Sequence, residues 1–429
     1  MKALFLILIV ISSLLFSCRT SNQIDPSSIH SDGVILPYSV LNTLPNGTEI
    51  RKGGYGSAAT AHPSKSNYFY ALTDRGPNVT YIGKAGKGKK FPVPDYTPRI
   101  GLFQLRKDGT VILKKEILLK DPNGVPITGI PNPEGRGSTG EIPYDNQGNI
   151  LSFDDYGLDG EGLVALKNGE FWISDEYGPH LVHYNKNGFE IERISPIGVN
   201  TGYRHLPAVF AKRRANRGME GLTITPDKST LVGIMQSTLY NPNKKGVTNN
   251  TVIRIVTFNL ATSETKQYLY KQDKPWNSNS EIESISDTEF LVVERDGAFS
   301  GEKEAQKLIY KIDISHATDI SSSDANDPNG LLIQGKTIEE CSYEDLKAAG
   351  IKFVSKELVI DLVKELPNHY PHDKLEGIWI MDDNTIAVLN DDDFAVTVNG
   401  GEVVQKYLPG TNLVDGDVLY ILPLNKSIN

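Results

Sequence analysis

Polar residues recur in pairs along this chain, each pair bracketing a stretch that reads as a β-hairpin. Gly56-Ser57-Ala58 is followed by Asp74-Arg75, Glu161-Gly162-Leu163 by Asp175-Glu176, and Glu220-Gly221-Leu222 by Gln236. Glu283-Ser284-Ile285 is followed by Glu294-Arg295-Asp296, and Glu376-Gly377-Ile378 by Asn390-Asp391. In an antiparallel hairpin the first residue of one strand lies beside the last residue of its partner, so each copy places its polar groups at one end. If the copies converge, Ser57, Glu161, Glu220, Glu283 and Glu376 form a ring of oxygen donors. Carboxylates gathered in a partly dry space repel one another unless they are protonated or share a cation. Calcium, which takes roughly six to eight oxygen ligands in irregular geometry, is the simplest neutralising partner. The copies contain neither cysteine nor a close histidine pair at ligand spacing, so zinc is not indicated. His180 and His183 lie three apart in an expected strand and face opposite ways. Two plainer readings stand beside this one: the glutamates bond neighbouring backbone amides and lock blade to blade, or a calcium ion is purely structural.

A second set of groups lies farther out on the same face. Asp74, Asp175, Glu176, Glu294, Asp296, Asn390, Asp391, Asp392 and Asp393 would rim the channel mouth, with Arg75 and Arg295 among them. The basic run Lys212-Arg213-Arg214-Ala215-Asn216-Arg217 immediately precedes the third glutamate copy. Such mixed charge suits a phosphate ester, whose oxygens are taken by cations and arginines. Arg75, Arg214, Arg217 and Arg295 are the candidate phosphate ligands, and Asp74, Asp175 or Glu294 would position water. Taken alone, the basic run reads equally as a solvated loop and Asp391-Asp392-Asp393 as a solvated turn.

Between the members of each pair there is room for two strands of about five residues and a tight turn. Asn168-Gly169, Pro226-Asp227-Lys228 and Asp382-Asp383-Asn384 supply turns, each followed by an apolar run such as Phe171-Trp172-Ile173. Third and fourth strands follow, for example Val252 to Phe258 and Lys266 to Tyr270. The copies recur roughly 60 to 100 residues apart, which fits a four-stranded propeller blade of about 40–45 residues plus an insertion. The expected fold is therefore an all-β propeller with five four-stranded antiparallel blades around a channel, with room for a sixth, degenerate blade in an insertion. Val34 to Leu41 would supply the outer strand that the last blade lacks and close the ring. Insertions fall near 120–160 and 317–366. Ser342 to Gly350 reads as a capped short helix, whereas Glu357 to Glu365 fits either a helix or an outer strand.

Net charge is −9 at pH 7, which argues against binding a nucleic-acid backbone and leaves room for a bound cation. Lys2 precedes an apolar run from Ala3 to Phe16, short for a membrane span. Leu15-Phe16-Ser17-Cys18 resembles a bacterial lipoprotein signal. The resemblance implies removal of 1–17, lipidation of Cys18, a tether over 18–33 and the propeller over 34–429, facing the periplasm or held at the outer membrane. An ordinary secretory signal is the alternative. With Cys18 lipidated, Cys341 is the only remaining thiol, so the mature fold holds no internal disulfide.

At Ala71 to Asn78, Phe171 to Pro179, Leu206 to Leu222, Val293 to Gly297 and Lys374 to Ile378 the chain resembles the phytase-like family, described as having esterase-like activity of phytase. That resemblance spans about residues 50 to 425 and implies a propeller. The serine and glutamate series also resembles the channel ligands of five-bladed calcium-dependent apyrases, which use serine at two of five positions; here Glu283 stands in the place of the second serine. No Gly-x-Ser-x-Gly elbow or phosphate-binding glycine loop is present, and Gly83 to Lys90 reads as an exposed turn. The resulting expectation is a monomeric calcium-dependent phosphoesterase acting on a small phosphorylated molecule such as phytate or a nucleotide, touching a membrane only through its lipid anchor. The alternatives are a metal-stiffened propeller that binds a glycan or protein, and a sugar-lactone hydrolase.

Overall fold

The computed structural model describes residues 33–197, 204–366 and 370–428. The leader and Cys18 lie outside the described residues. The chain is predominantly β, and its main elements are four-stranded antiparallel sheets, five among the described residues. The first sheet contains Ala58–Ala61, Tyr68–Leu72, Arg99–Leu105 and Val111–Leu118; the second contains Gly160–Ala165, Phe171–Asp175, Leu181–Tyr184 and Glu190–Ile194. The third contains Met219–Ile224, Thr230–Met235, Val252–Asn259 and Thr265–Lys271. The fourth is built from Ser278–Ser284, Glu289–Arg295, Lys307–Asp313 and Ser355–Asp361, so the ambiguous 357–365 stretch divides into the end of the outer strand, up to Asp361, and a short helix at Leu362–Glu365. The fifth contains Gly377–Asp382, Thr385–Leu389 and Val418–Pro423, and its fourth strand is Val34–Ile35 from the other end of the chain.

The first strands of successive sheets pack side by side, and the fifth returns to the first, so the five sheets stand in a closed ring. Apolar clusters fill the wedges between neighbouring sheets. Phe69 of the first sheet, for example, stacks on Trp379 of the fifth with ring centroids 4.8 Å apart. Because each sheet is covered on both faces, strands such as Met219–Ile224 are buried along their whole length. The glycine of the Glu-Gly-Leu pattern has a packing cause. A Cβ on Gly162 would lie 2.6 Å from Leu222 N, and one on Gly221 would lie 2.6 Å from Ile282 N. The inner strands approach too closely there for a side chain.

Smaller elements build the rim. Val79–Gly83, Gly86–Lys90 and Ile142–Tyr144 form a three-stranded sheet, and Val396–Asn399 pairs with Glu402–Gln405. Lys84 and Ala85 are the exposed turn expected there, whereas Gly86–Lys90 is a strand whose Lys89 lines the mouth. The helix Tyr343–Ala348 is capped by Ser342, whose Oγ accepts the Asp345 N–H.

Candidate functional site

The inner hairpins share a register. Gly160 pairs with Asp175 and Gly162 with Ser174, so Glu161 occupies a bulge. Glu220 occupies the same bulge between Met219 and Gly221. In the fourth sheet Asn279 pairs with Glu294 and Glu281 with Val293, so the bulged residue is Ser280. Ser57 and Glu376 hold the corresponding positions just before Ala58 and Gly377. A bulge leaves one extra residue unpaired, disrupts the ladder locally and re-aims that residue's side chain. The equivalent positions are therefore Ser57, Glu161, Glu220, Ser280 and Glu376, and the three glutamates line one cavity.

Glu283 is corrected by this register. Three residues beyond the bulge, it pairs with Leu291 and accepts a hydrogen bond from Thr223 Oγ1 at 3.2 Å. It lines a separate cavity with Thr60, Val164, Ile285 and Ile380. A strand of that length carries its side chain to the opposite end of the channel.

Side-chain alternation corrects two more expectations. Side chains along a strand point to opposite faces in turn, so Asp175 and Glu176, or Glu294 and Arg295, cannot both face the channel. Glu176 and Arg295 do so, whereas Asp175 and Glu294 turn between the sheets. Glu294 is buried and accepts from Tyr270 Oη at 2.5 Å, Asn277 Nδ2 at 2.7 Å, Lys356 Nζ at 2.7 Å and Asp273 N at 2.7 Å. Asp175 accepts from Asp159 N at 2.9 Å and Gly178 N at 2.8 Å, holding the loop that carries Asp159. Arg214 also falls outside the mouth cavity, its guanidinium 5.2 Å from the Tyr240 ring centroid.

The mouth cavity has a volume of about 400 Å³. Asp74, Glu161, Glu176, Glu220, Glu376 and Asp393 line it together with Arg75, Lys89, Arg217, Arg295 and Lys374. Gln236 Nε2 donates to Glu176 Oε1 at 2.8 Å and to Glu220 Oε1 at 2.6 Å, bridging two carboxylates. Arg295 donates to Ser280 Oγ at 2.9 Å and to Glu376 Oε1. Arg75 reaches Asn216 Oδ1 at 2.5 Å and faces Asp159 Oδ2 at 3.4 Å. Arg217 makes one long contact, 3.4 Å to Ser278 Oγ.

Burial dominates the electrostatics. It pushes Glu161 well above the usual carboxylate range, and nearby Glu220 and Asp159 push the same way. Glu176 is raised well above that range by burial and then by Glu220, and Asp74 by burial and then by Asp391. Glu376 is raised by burial to about 8, against the pull of Lys374 and Arg295. Lys89 is lowered to about 8 by burial and by Arg75.

Oxygen atoms of Asp74, Asp159 and Glu161 lie within 4.8 Å of one another, as do those of Asp391, Asp392 and Asp417. These two buried acidic clusters are able to hold metal ions. Buried Glu220 Oε2 and Ser57 Oγ have no hydrogen-bond partner among the described residues. Asp393, Phe394 and Ala395 all have left-handed backbones, with φ of 53°, 58° and 59°. Such residues cost about 1–2 kcal/mol each, which this turn tolerates while fixing Asp391 to Asp393.

The family described as phytase-like, with esterase-like activity of phytase, matches residues 50–394. The chain belongs to this family. An uncharacterized secreted protein of Arthroderma benhamiae is 24% identical over 292 residues, covering 53% of this chain and 56% of that protein. The chain thus spans about half the length of that curated relative. Virginiamycin B lyase from Staphylococcus aureus is 12% identical at a TM-score of 0.30, covering 84% of this chain and 92% of its own. The GH43 endo-arabinanase from Bacillus licheniformis is 10% identical at a TM-score of 0.34, with 87% and 95% covered. Likenesses that distant carry no argument about this phytase-like chain.

Several groups at the phytase-like mouth escape a reading of the sequence. Asp159 and Lys89 stand on segments whose approach to the channel depends on loop packing. Ser280 carried a usable signal: the interval from Ser280 to Arg295 equals those from Glu161 to Glu176 and from Glu376 to Asp391.

Proposed function

We propose that this phytase-like chain is a five-bladed propeller and a cation-dependent hydrolase of a small phosphate ester, acting in the mouth cavity. The observation that carries the reading is the sharing of one cavity by six carboxylates and five cationic side chains. The donor set fits a hard cation such as calcium, because every candidate ligand is oxygen and Glu220 Oε2 and Ser57 Oγ are buried without partners among the described residues. Glu161, Glu220 and Glu376 would hold it with Ser57, while Asp74 and Asp159 flank Glu161. Such a cation, when bound, polarises a phosphoryl oxygen and offsets its developing charge.

The chain's own groups do the rest. Arg75, Arg217, Arg295 and Lys374 take phosphate oxygens through charge-assisted hydrogen bonds. Glu176, its carboxyl raised by burial, accepts a proton from the attacking water as the new P–O bond forms. Lys89, lowered to about 8, returns a proton to the ester oxygen as the old P–O bond breaks. The reading includes a lipid anchor on Cys18, tested by incorporation of a labelled fatty acid that Cys18→Ala should abolish.

The test of the activity is phosphate release from a panel of phytate, nucleotides and aryl phosphates, with calcium and with chelator. Calcium-dependent release from at least one compound is expected. Absence of release from the whole panel would overturn the reading. If calcium then still raised the melting temperature, a metal-stiffened binding protein would stand in its place, and opening of a sugar lactone would indicate a lactone hydrolase.

A further inference from the structure

Outside the mouth cavity, three aspartates meet where the ring closes. Asp391 and Asp392 follow Thr385–Leu389, and Asp417 immediately precedes Val418–Pro423. One carboxylate oxygen from each lies within 4.8 Å of the others, and none of the three residues is more than 4% exposed. Asp417 Oδ2 accepts the Tyr55 N–H at 2.7 Å, while its buried Oδ1 has no hydrogen-bond partner among the described residues. Asp392 Oδ1 accepts the Phe394 N–H at 2.8 Å. Lys374 serves Asp391 at 2.5 Å but also Asp393 at 2.7 Å, and Lys406 serves Asp373, Asp393 and Asp415. Each lysine is thus already shared, and among the described residues neither Asp392 nor Asp417 has an ion-pair partner of its own.

The surroundings join both ends of the chain. Asp417 O accepts the Leu36 N–H at 2.8 Å, tying the N-terminal strand to this residue. Tyr55, whose N–H Asp417 takes, leads into the first sheet. A Cβ on Gly56 would lie 2.0 Å from Asn390 O, so the backbones of the first and fifth sheets touch here. A buried carboxylate oxygen without a donor is costly unless a proton or a cation neutralises it.

We propose that Asp391, Asp392 and Asp417 form a second hard-cation site, distinct from the channel ligands, that clamps the seam between the fifth and first sheets. Oxygen-only donors select a calcium-like ion over zinc. Binding there couples the N-terminal strand, the approach to the first sheet and the end of the fifth sheet, so the ion stabilises ring closure rather than chemistry.

Equilibrium dialysis of the purified protein against calcium tests the count of ions. Two bound ions are expected in the wild type, one in the Asp392→Asn/Asp417→Asn variant and one in Glu220→Gln. A single ion in the wild type that Glu220→Gln removes, or two ions retained in the double variant, would overturn the seam site and leave the channel reading standing. A single ion that only the double variant removes would support the seam and count against the channel. Should the double variant fail to fold, amide exchange on the wild type and on Glu220→Gln decides. Calcium is expected to slow exchange about tenfold or more at 34–36 and 53–57, as ligand binding to the closed state requires. Unchanged exchange in those segments would overturn the proposal.

Discussion

At the mouth of the ring, Glu161, Glu220 and Glu376 share a cavity with Arg217, Arg295 and Lys374, while at the other end Glu283 lines a cavity with Val164, Ile285 and Ile380. Both ends hold glutamates raised by burial, Glu376 to about 8 and Glu283 to about 7. A shifted carboxyl therefore does not by itself mark chemistry. The mouth differs because acids from several sheets converge there with five cationic side chains, whereas Glu283 has its hydrogen bond from Thr223. Convergence follows from bulges that recur at one level in successive hairpins; a residue three positions farther along the same strand escapes it.

The largest effects that sharpen this contrast come from the arginines. Arg217→Ala is expected to lower kcat/KM for phosphate release by about 100-fold with the fold intact, because it removes charge from the cavity. Arg214→Ala, stacked on Tyr240, should change it by less than about threefold. Equal losses from both would break the assignment of the mouth.

Neighbouring acids on one strand give the next test. Glu176→Gln is expected to reduce turnover about 10- to 100-fold while leaving the melting temperature nearly unchanged. Glu294→Gln should do the reverse, because Lys356 loses a buried partner; about 3 kcal/mol of stability is expected to go, read by denaturant unfolding.

The sequence made the hairpins legible because paired polar residues at strand ends survive any insertion between them. Glu161, Glu220 and Glu376 were readable for that reason, as was the closing strand at Val34–Ile35 with its exposed-edge logic. Glu283 misled because Ser280-Glu281-Ile282 and Glu283-Ser284-Ile285 present similar patterns three residues apart, and only hairpin length separates them. Asp175 and Glu294 misled by a single residue, the smallest slip that reverses a strand's faces. Asp159 and Asp417 were invisible because loops, which have no period, bring them in, and Lys89 because its small rim sheet lies outside the repeated hairpins.

A smaller effect concerns packing rather than charge. Gly221→Ala places a Cβ 2.6 Å from Ile282 N and should cost about 1–3 kcal/mol by separating the third and fourth sheets. Thermal unfolding would show it, and an unchanged midpoint would contradict the close approach of inner strands.

The smallest effect is a pH dependence at the far end. Glu283 rises from an ordinary 4.5 to about 7 in the folded protein, so the folded state holds its proton more tightly than the unfolded state. Its contribution to stability is complete below about 4.5 and is lost as pH climbs to about 7. Glu283→Gln should flatten that part of the stability profile while leaving phosphate release within about threefold of the wild type.

The central claim is that the mouth binds a cation and turns over a phosphate ester, and one calcium titration of phosphate release tests it most directly. Run on the wild type, Glu220→Gln and Glu283→Gln with the best substrate of the panel, it should show saturable calcium activation in the wild type and in Glu283→Gln. Glu220→Gln should need at least about tenfold more calcium, or show no release. Superimposable curves for wild type and Glu220→Gln, or release unaffected by chelator, would contradict the account.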